Sequence, residues 1–405
     1  MSITSTILLL LIFLAACAVM YHEGFLDSAG RITAAIFFVT AAFALRIIML
    51  PTITSDYTLF LQKWVDYFRQ SGGFSAIADE IGNYNLPYLY FLALFSYIPV
   101  DDLYLVKLLS IAFDVLLAWG VSGIVSLYVD SKNRQLAAFI VTLFWPTVLL
   151  NGAYWGQCDS IFAAFGVMAF YMALAERPRL SLMFAALSLA FKVQAVFLLP
   201  IYAVFLITRH IRLRDLLIFP LTYLATVLPA IALGHPIWDA VFLYFRQVNG
   251  ATASLNFNSA SAYAFIPYGY TAEWLDYGAY IGIALALALV YTVLLWTIAK
   301  GRSVNKFTLL GFSALITLGI PFFLPYMHDR YFFLADIFTL ILAFISPAYF
   351  SVAMLCVFGS LLGYYAYLYH EFFLTMNFGA AAMLVALGVI TVYIQKSFGK
   401  AEKPI

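Results

Sequence analysis

Long apolar runs, one after another from near the first residue to near the last, restrict this chain more than any other feature. They occur near residues 3–20, 31–50, 104–128, 136–152, 160–175, 215–233, 277–299, 307–325, 331–346, 349–369 and 374–394. Most of them approach the ~20 residues that a helix needs to cross a bilayer. In lipid, backbone N–H and C=O groups find partners only inside helices or closed barrels. With 65% hydrophobic and 10% charged residues and a mean hydropathy of +0.96, too little polar surface exists to cover a soluble exterior. The expected fold class is all-α: a polytopic integral membrane protein forming one domain over residues 1–405. The first run lacks a basic leader and a convincing cleavage site, and reads as a retained helix.

Two stretches need separate treatment. Residues 180–208 are too long for one crossing and are interrupted at Lys192, Gln194 and Pro200. They read as two short helices that enter and return, with Lys192 and Gln194 near the outer tip. Residues 86–100 read as a re-entrant or surface helix on the outer side. Basic clusters at 132–134, 177–179, 209–214, 300–306 and 396–403 then all fall on the cytoplasmic side. The count is about thirteen crossings, eleven at the fewest.

The outer face collects four loops, 51–87, 151–160, 234–277 and 326–331, rich in rings such as Tyr84, Tyr88, Tyr90, Tyr154 and Trp155. Interface belts explain part of that enrichment, and rings are also what sugars stack on. The inner loops are short and basic. A net charge of +1 argues against a nucleic-acid partner. Three scattered cysteines, Cys17, Cys158 and Cys356, suggest neither a disulfide framework nor a zinc site. No phosphate-binding glycine loop or HExxH motif is present. Nor is there an inverted pair of broken helices, which counts against a carrier.

Within the first outer loop, residues 54–68 read TSDYTLFLQKWVDYF. Thr54 or Ser55 suits a helix N-cap, and Asp56 suits the first turn. Tyr57, Leu61, Trp64 and Phe68 repeat at helical spacing, while Asp56, Lys63, Asp66 and Arg69 lie off that stripe. The pattern describes a surface helix with its stripe in lipid and its carboxylates at the water boundary. Asp56 is the candidate base; the bland alternative is a carboxylate that only serves the helix end. Asp66 pairs with Lys63 or Arg69, and the doublet Asp101–Asp102 reads as a solvated turn.

Charges at membrane depth are costly and usually functional. The candidates are Asp56 with Asp66 and the acidic pair Asp79 and Glu80, Trp155-Gly156-Gln157-Cys158-Asp159, Lys192 with Gln194, and His328-Asp329-Arg330. Sugar transfer from a lipid monophosphate needs a carboxylate to take the acceptor's proton. It also needs cations for the leaving phosphate, and Lys192, His328 and Arg330 suit that role without a metal. Plainer readings exist for each: an interface anchor for the His328 cluster, a snorkelling Lys192, and a turn closed by Trp155 with Asp159 capping the next helix.

The ordered series of Asp56 after an early span, then YNLPYLYFL, YWGQCDS, AFKVQAVFLLPI and YMHDRYFFLADI, resembles the GT-C superfamily of polyprenyl-phosphate-sugar glycosyltransferases. It is most similar to bacterial relatives of the second mannosyltransferase of GPI-anchor synthesis. The resemblance covers residues 46–336. It implies that Asp56 is catalytic, with Asp66 or Glu80 as alternatives because some members carry an acidic pair where this chain has Ser55-Asp56. It also implies that Lys192, His328 and Arg330 bind the donor phosphate, and that Trp155, Gln157, Asp159, Gln194 and Asp329 lie close by, with Tyr84 and Trp155 bracketing the sugar. It further implies no cofactor and no metal. The donor is a polyprenyl-phosphate hexose, mannose first, and the acceptor a glycolipid, a polysaccharide or a protein. The enzyme would sit in a bacterial plasma membrane, work on its outer side, and carry no soluble domain after the last span. The rival reading is a transporter or flippase for lipid-linked sugars.

Overall fold

The structure is a computed structural model describing residues 2–248, 254–266 and 272–398; parts of the expected outer loop 234–277 and of the basic tail 396–403 lie outside the described residues. In chain order come α1 Ile3–His22, α2 Ala29–Met49, α3 Gln62–Gln70, α4 Leu86–Phe95, α5 Asp102–Ser126 and α6 Lys132–Phe144. Next are α7 Pro146–Leu149, α8 Asp159–Leu174, α9 Pro178–Phe191, α10 Pro200–Ile207, α11 Ile218–Ala232 and α12 Ile237–Val248. The remaining helices are α13 Ala272–Lys300, α14 Lys306–Phe323, α15 Phe333–Ile345, α16 Phe350–Tyr369 and α17 Met376–Ser397. Strand is confined, among the described residues, to the two-residue parallel pair β1 Asn256–Phe257 and β2 Met327–His328.

This is an all-α membrane protein. Eight helices among the described residues are long and apolar enough to cross a bilayer, and α6 with Pro146–Trp155 makes a ninth, bent by 45°. Pro146 explains the bend, because it has no N–H to donate to the preceding turn. α4, α8, α9, α15 and the segment Val193–Ile207 are apolar but shorter. The expected break in 180–208 falls at Lys192, whose backbone is extended between α9 and a 3₁₀ turn, Val193–Phe197. Within 234–277, the described part holds α12 rather than loop alone.

The chain forms two compact units, Met1–Ala195 with Arg214–Gly250, and Val196–Leu213 with Ala251–Ile405. In the first, α5 is central: 72% of its apolar window is buried, against 22% for α1 and 28% for α2. Lipid is as apolar as leucine, so membrane helices associate through close packing and polar contacts. Gly120 and Gly123 of α5 let Val167 and Tyr171 of α8 come within 3.0 and 2.8 Å of where a Cβ would stand. In the second unit α14 is central, with 83% of its window buried. There Gly359 of α16 meets Gly379 of α17.

Candidate active site of the first unit

After α2 ends, the chain turns at Pro51 and enters a helix that opens with a π-helical turn over Tyr57–Leu61 before continuing as α3. The stripe faces protein rather than lipid at Tyr57, Leu61 and Phe68, which are buried together with Val65; Trp64 is half-buried, and Leu59, Phe60 and Tyr67 are exposed. Apolar spacing alone does not distinguish a lipid neighbour from a helix neighbour. Thr54 does not cap with its hydroxyl, which instead donates to the Trp155 carbonyl at 2.8 Å. Asp56, expected at the water boundary, is 7% exposed.

The partners of Asp56 come from a second π-helical turn, Leu150–Trp155, closed by Gly156 in the left-handed region at φ 84°. π turns insert a residue and re-aim side chains, and they recur at functional sites. Trp155 Nε1 donates to Asp56 Oδ2 at 2.9 Å, and Gln157 Nε2 donates to the same oxygen. Gln157 Oε1 in turn accepts from the Tyr84 hydroxyl at 3.1 Å. The Tyr84 ring packs against Trp64 and Tyr88, and the Lys192 ammonium lies 5.7 Å from its centroid. Lys192 pairs with Asp159 Oδ1, and Asn151 Nδ2 donates to Asp159 Oδ2 at 2.7 Å. Asp159 stands in the first turn of α8, where its backbone N–H donates to Asn151 Oδ1 at 3.3 Å.

Asp56, Trp155, Gln157, Tyr84, Lys192 and Asp159 are therefore one connected buried cluster. It holds two carboxylates and one ammonium. Gln194 lies two residues beyond Lys192, 5% exposed, with its Oε1 lacking a hydrogen-bond donor among the described residues.

The alternative carboxylates stand apart from this cluster. Asp66 bridges Arg69 at 2.8 Å with both side chains more than 40% exposed, and Glu80 is exposed. Arg69 also reaches Asp102 at 2.7 Å, so Asp102 is a buried ion-pair partner rather than half of a solvated turn. The hydrogen bond to Asp102 raises the Arg69 guanidinium above its ordinary pKa. Burial, followed by the charges of Asp101, Asp102 and Asp66, raises the Tyr57 phenol.

His328, Asp329 and Arg330 belong to the second unit. His328 stacks on Phe257, its β1 partner, at 4.7 Å and 10°, and its ring also meets Tyr331 at 5.2 Å. Asp329 is 1% exposed, and Arg330 Nη1 lies 3.4 Å from its Oδ1. A Cβ at Gly363 of α16 would stand 3.1 Å from Asp329 Cα, so this loop is pressed onto the helix.

Among the buried polar groups that the sequence reading did not single out are Lys107 and Asp114 of α5, Asn151, and Asp336 of α15. The first two and the last are charges inside apolar runs, and that rule, applied along every run, finds them. Asn151 gives no such signal. A cavity of about 630 Å³ between α2 and α6 is lined by no residue of the site. Comparison with known protein families gives no match, and no curated protein sequence matches the chain.

Proposed function

We propose that the chain is a GT-C-type membrane hexosyltransferase with about thirteen crossings. That number follows when α8, α9, the segment Val193–Ile207 and α15 cross along with the nine spans, leaving α4 at the outer surface. It takes a hexose, mannose first, from a polyprenyl-phosphate donor and adds it to an acceptor hydroxyl on the extracytoplasmic side of a bacterial plasma membrane. The observation that carries this reading is the buried Asp56 carboxylate, whose Oδ2 accepts from Trp155 and Gln157. Two rigid donors orient it, as general-base catalysis requires.

In the proposed step the acceptor oxygen attacks the anomeric carbon opposite the phosphate, and configuration inverts. The new C–O bond forms as the bond to phosphate breaks; the proton passes to Asp56 and the electron pair leaves on the phosphate oxygen. A monophosphate leaving group is served by fixed cations without a metal. Lys192 meets it as part of an ion pair with Asp159, and the resemblance gives His328 and Arg330 the same role. Tyr84 and Trp155 bracket the sugar and Gln194 contacts substrate, and the resemblance gives Asp329 a substrate contact as well. A groove of about 420 Å³ between α1, α4 and α5, lined by Leu8, Ile12, Phe91, Phe95 and Leu109, has the chemistry to take the prenyl chain.

The test is incubation of purified protein with a panel of polyprenyl-phosphate hexoses and a mixed membrane-glycolipid acceptor fraction, following release of polyprenyl phosphate. One donor, mannose first, is expected to turn over. Release from none, together with movement of the intact lipid-linked sugar across vesicles, overturns the reading in favour of a flippase.

A further inference from the structure

α5 carries three polar residues, Lys107, Ser110 and Asp114, at spacings that put them on one helix face. All are at most 1% exposed. Polar groups are costly at this depth in a spanning helix, and here each holds a different strand of backbone or a charge. Lys107 Nζ donates to the carbonyls of Met49, Leu50 and Thr52 at 3.2, 3.0 and 2.7 Å. An ammonium has three donors, and all three close on the C-terminal end of α2, where carbonyls lack helical partners. The Lys107 stem lies beneath Gly156: a Cβ there would stand 3.7 Å from both Cγ and Cε. Ser110 Oγ donates to the Gln157 carbonyl at 2.6 Å. One turn on, Asp114 joins Arg46 of α2 to Ser160 of α8.

The hydrogen bonds that Lys107 and Ser110 make outside α5 land on two segments. Residues 49–52 lead directly into Asp56, and residues 156–160 follow Trp155 and include Gln157. We infer that Lys107 and Ser110 are positioning residues: from one face of α5 they set the register between the Asp56 segment and the Trp155–Gln157 turn. Neither touches Asp56; each acts through backbone that carries it or its donors. The catalytic consequence rests on the proposed transferase reading, whereas the mechanical claim does not.

The experiment is amide hydrogen exchange on the full chain in nanodiscs, without substrate, paired with transfer kinetics. Lys107→Met keeps the stem and removes the ammonium. It is expected to speed exchange in residues 50–58 by about tenfold or more, with α8 still protected. kcat is expected to fall by about tenfold or more, with the donor KM within about twofold. Ser110→Ala, a far milder change, is expected to loosen residues 155–158 and leave 50–58 as they were. Unchanged exchange at 50–58 in Lys107→Met, or a uniform rise over all helices, overturns the inference. If Lys107→Met does not fold, Ser110→Ala decides alone, and unchanged exchange at 155–158 overturns it. Absence of transfer from every donor by the parent protein removes the transferase reading instead, and the exchange result still judges the clamp.

Discussion

Replacing Asp114 by Asn keeps the side chain's shape and removes its charge, which makes the buried pair with Arg46 open to measurement. Neither side chain has any exposure. Arg46 Nε and Nη2 reach Asp114 Oδ2 at 3.2 and 2.8 Å, and Ser160 Oγ donates to Oδ1 at 2.5 Å. In the variant the Arg46 cation keeps its bond to the Ala42 carbonyl at 3.1 Å but loses its counter-charge. Stranding a buried charge in this way costs about 3–5 kcal/mol. At roughly 2 °C per kcal/mol for a unit of this size, the melting temperature falls by about 6–10 °C. Cys158 is buried in the same unit and serves as reporter. A maleimide dye that fluoresces on reaction follows its exposure on heating, in a Cys17→Ala, Cys356→Ala background. Arg46→Met with Asp114→Leu removes both charges and is expected to melt within about 3 °C of the parent. A single-variant shift under about 2 °C, or a double variant no better than the single, refutes the reasoning.

The other predictions are simpler. Gly156→Ala places a Cβ at an ordinary 3.7 Å from Lys107, so its cost is the left-handed backbone alone. That is about 1–2 kcal/mol, read as a melting shift of about 2–4 °C. Asp66→Ala removes only an exposed pair with Arg69. Stability is expected to change by less than about 0.5 kcal/mol in the same melting assay, with transfer unchanged, which also excludes Asp66 as the base. A chelator is expected to leave turnover intact in the donor assay; loss restored by one added divalent ion contradicts the metal-independent step.

Much of the helical layout was legible because its signals are local. The apolar runs mark nearly every helix, and the interruption at Lys192 and Gln194 falls where α9 gives way to a 3₁₀ turn. Residues 86–100, expected as a re-entrant or surface helix from the alternation of basic loops, hold the short apolar helix Leu86–Phe95. The site was legible in its residue types but not in its wiring. Asp56 meets donors that stand 99 and 101 positions away, and no pattern within 54–68 announces them. The π-helical turns that aim these groups have no composition of their own. The stripe of α3 faces protein where lipid was expected, since both neighbours reward the same side chains. Lys107 and Asp114 hide in a run apolar enough to dominate any average over it. Lys192 was legible as a membrane cation, but its pairing with Asp159 depends on how α8 and α9 pack.

The most direct test of the central claim, that Asp56 is the oriented base, is the transfer rate of purified Asp56→Asn with the preferred polyprenyl-phosphate hexose. Asparagine keeps the size and still accepts from Trp155, yet cannot take the acceptor's proton. A fall of about 10²–10⁴-fold in kcat, with donor affinity and melting temperature near those of the parent, is the predicted result. A rate within a few-fold of the parent contradicts the account.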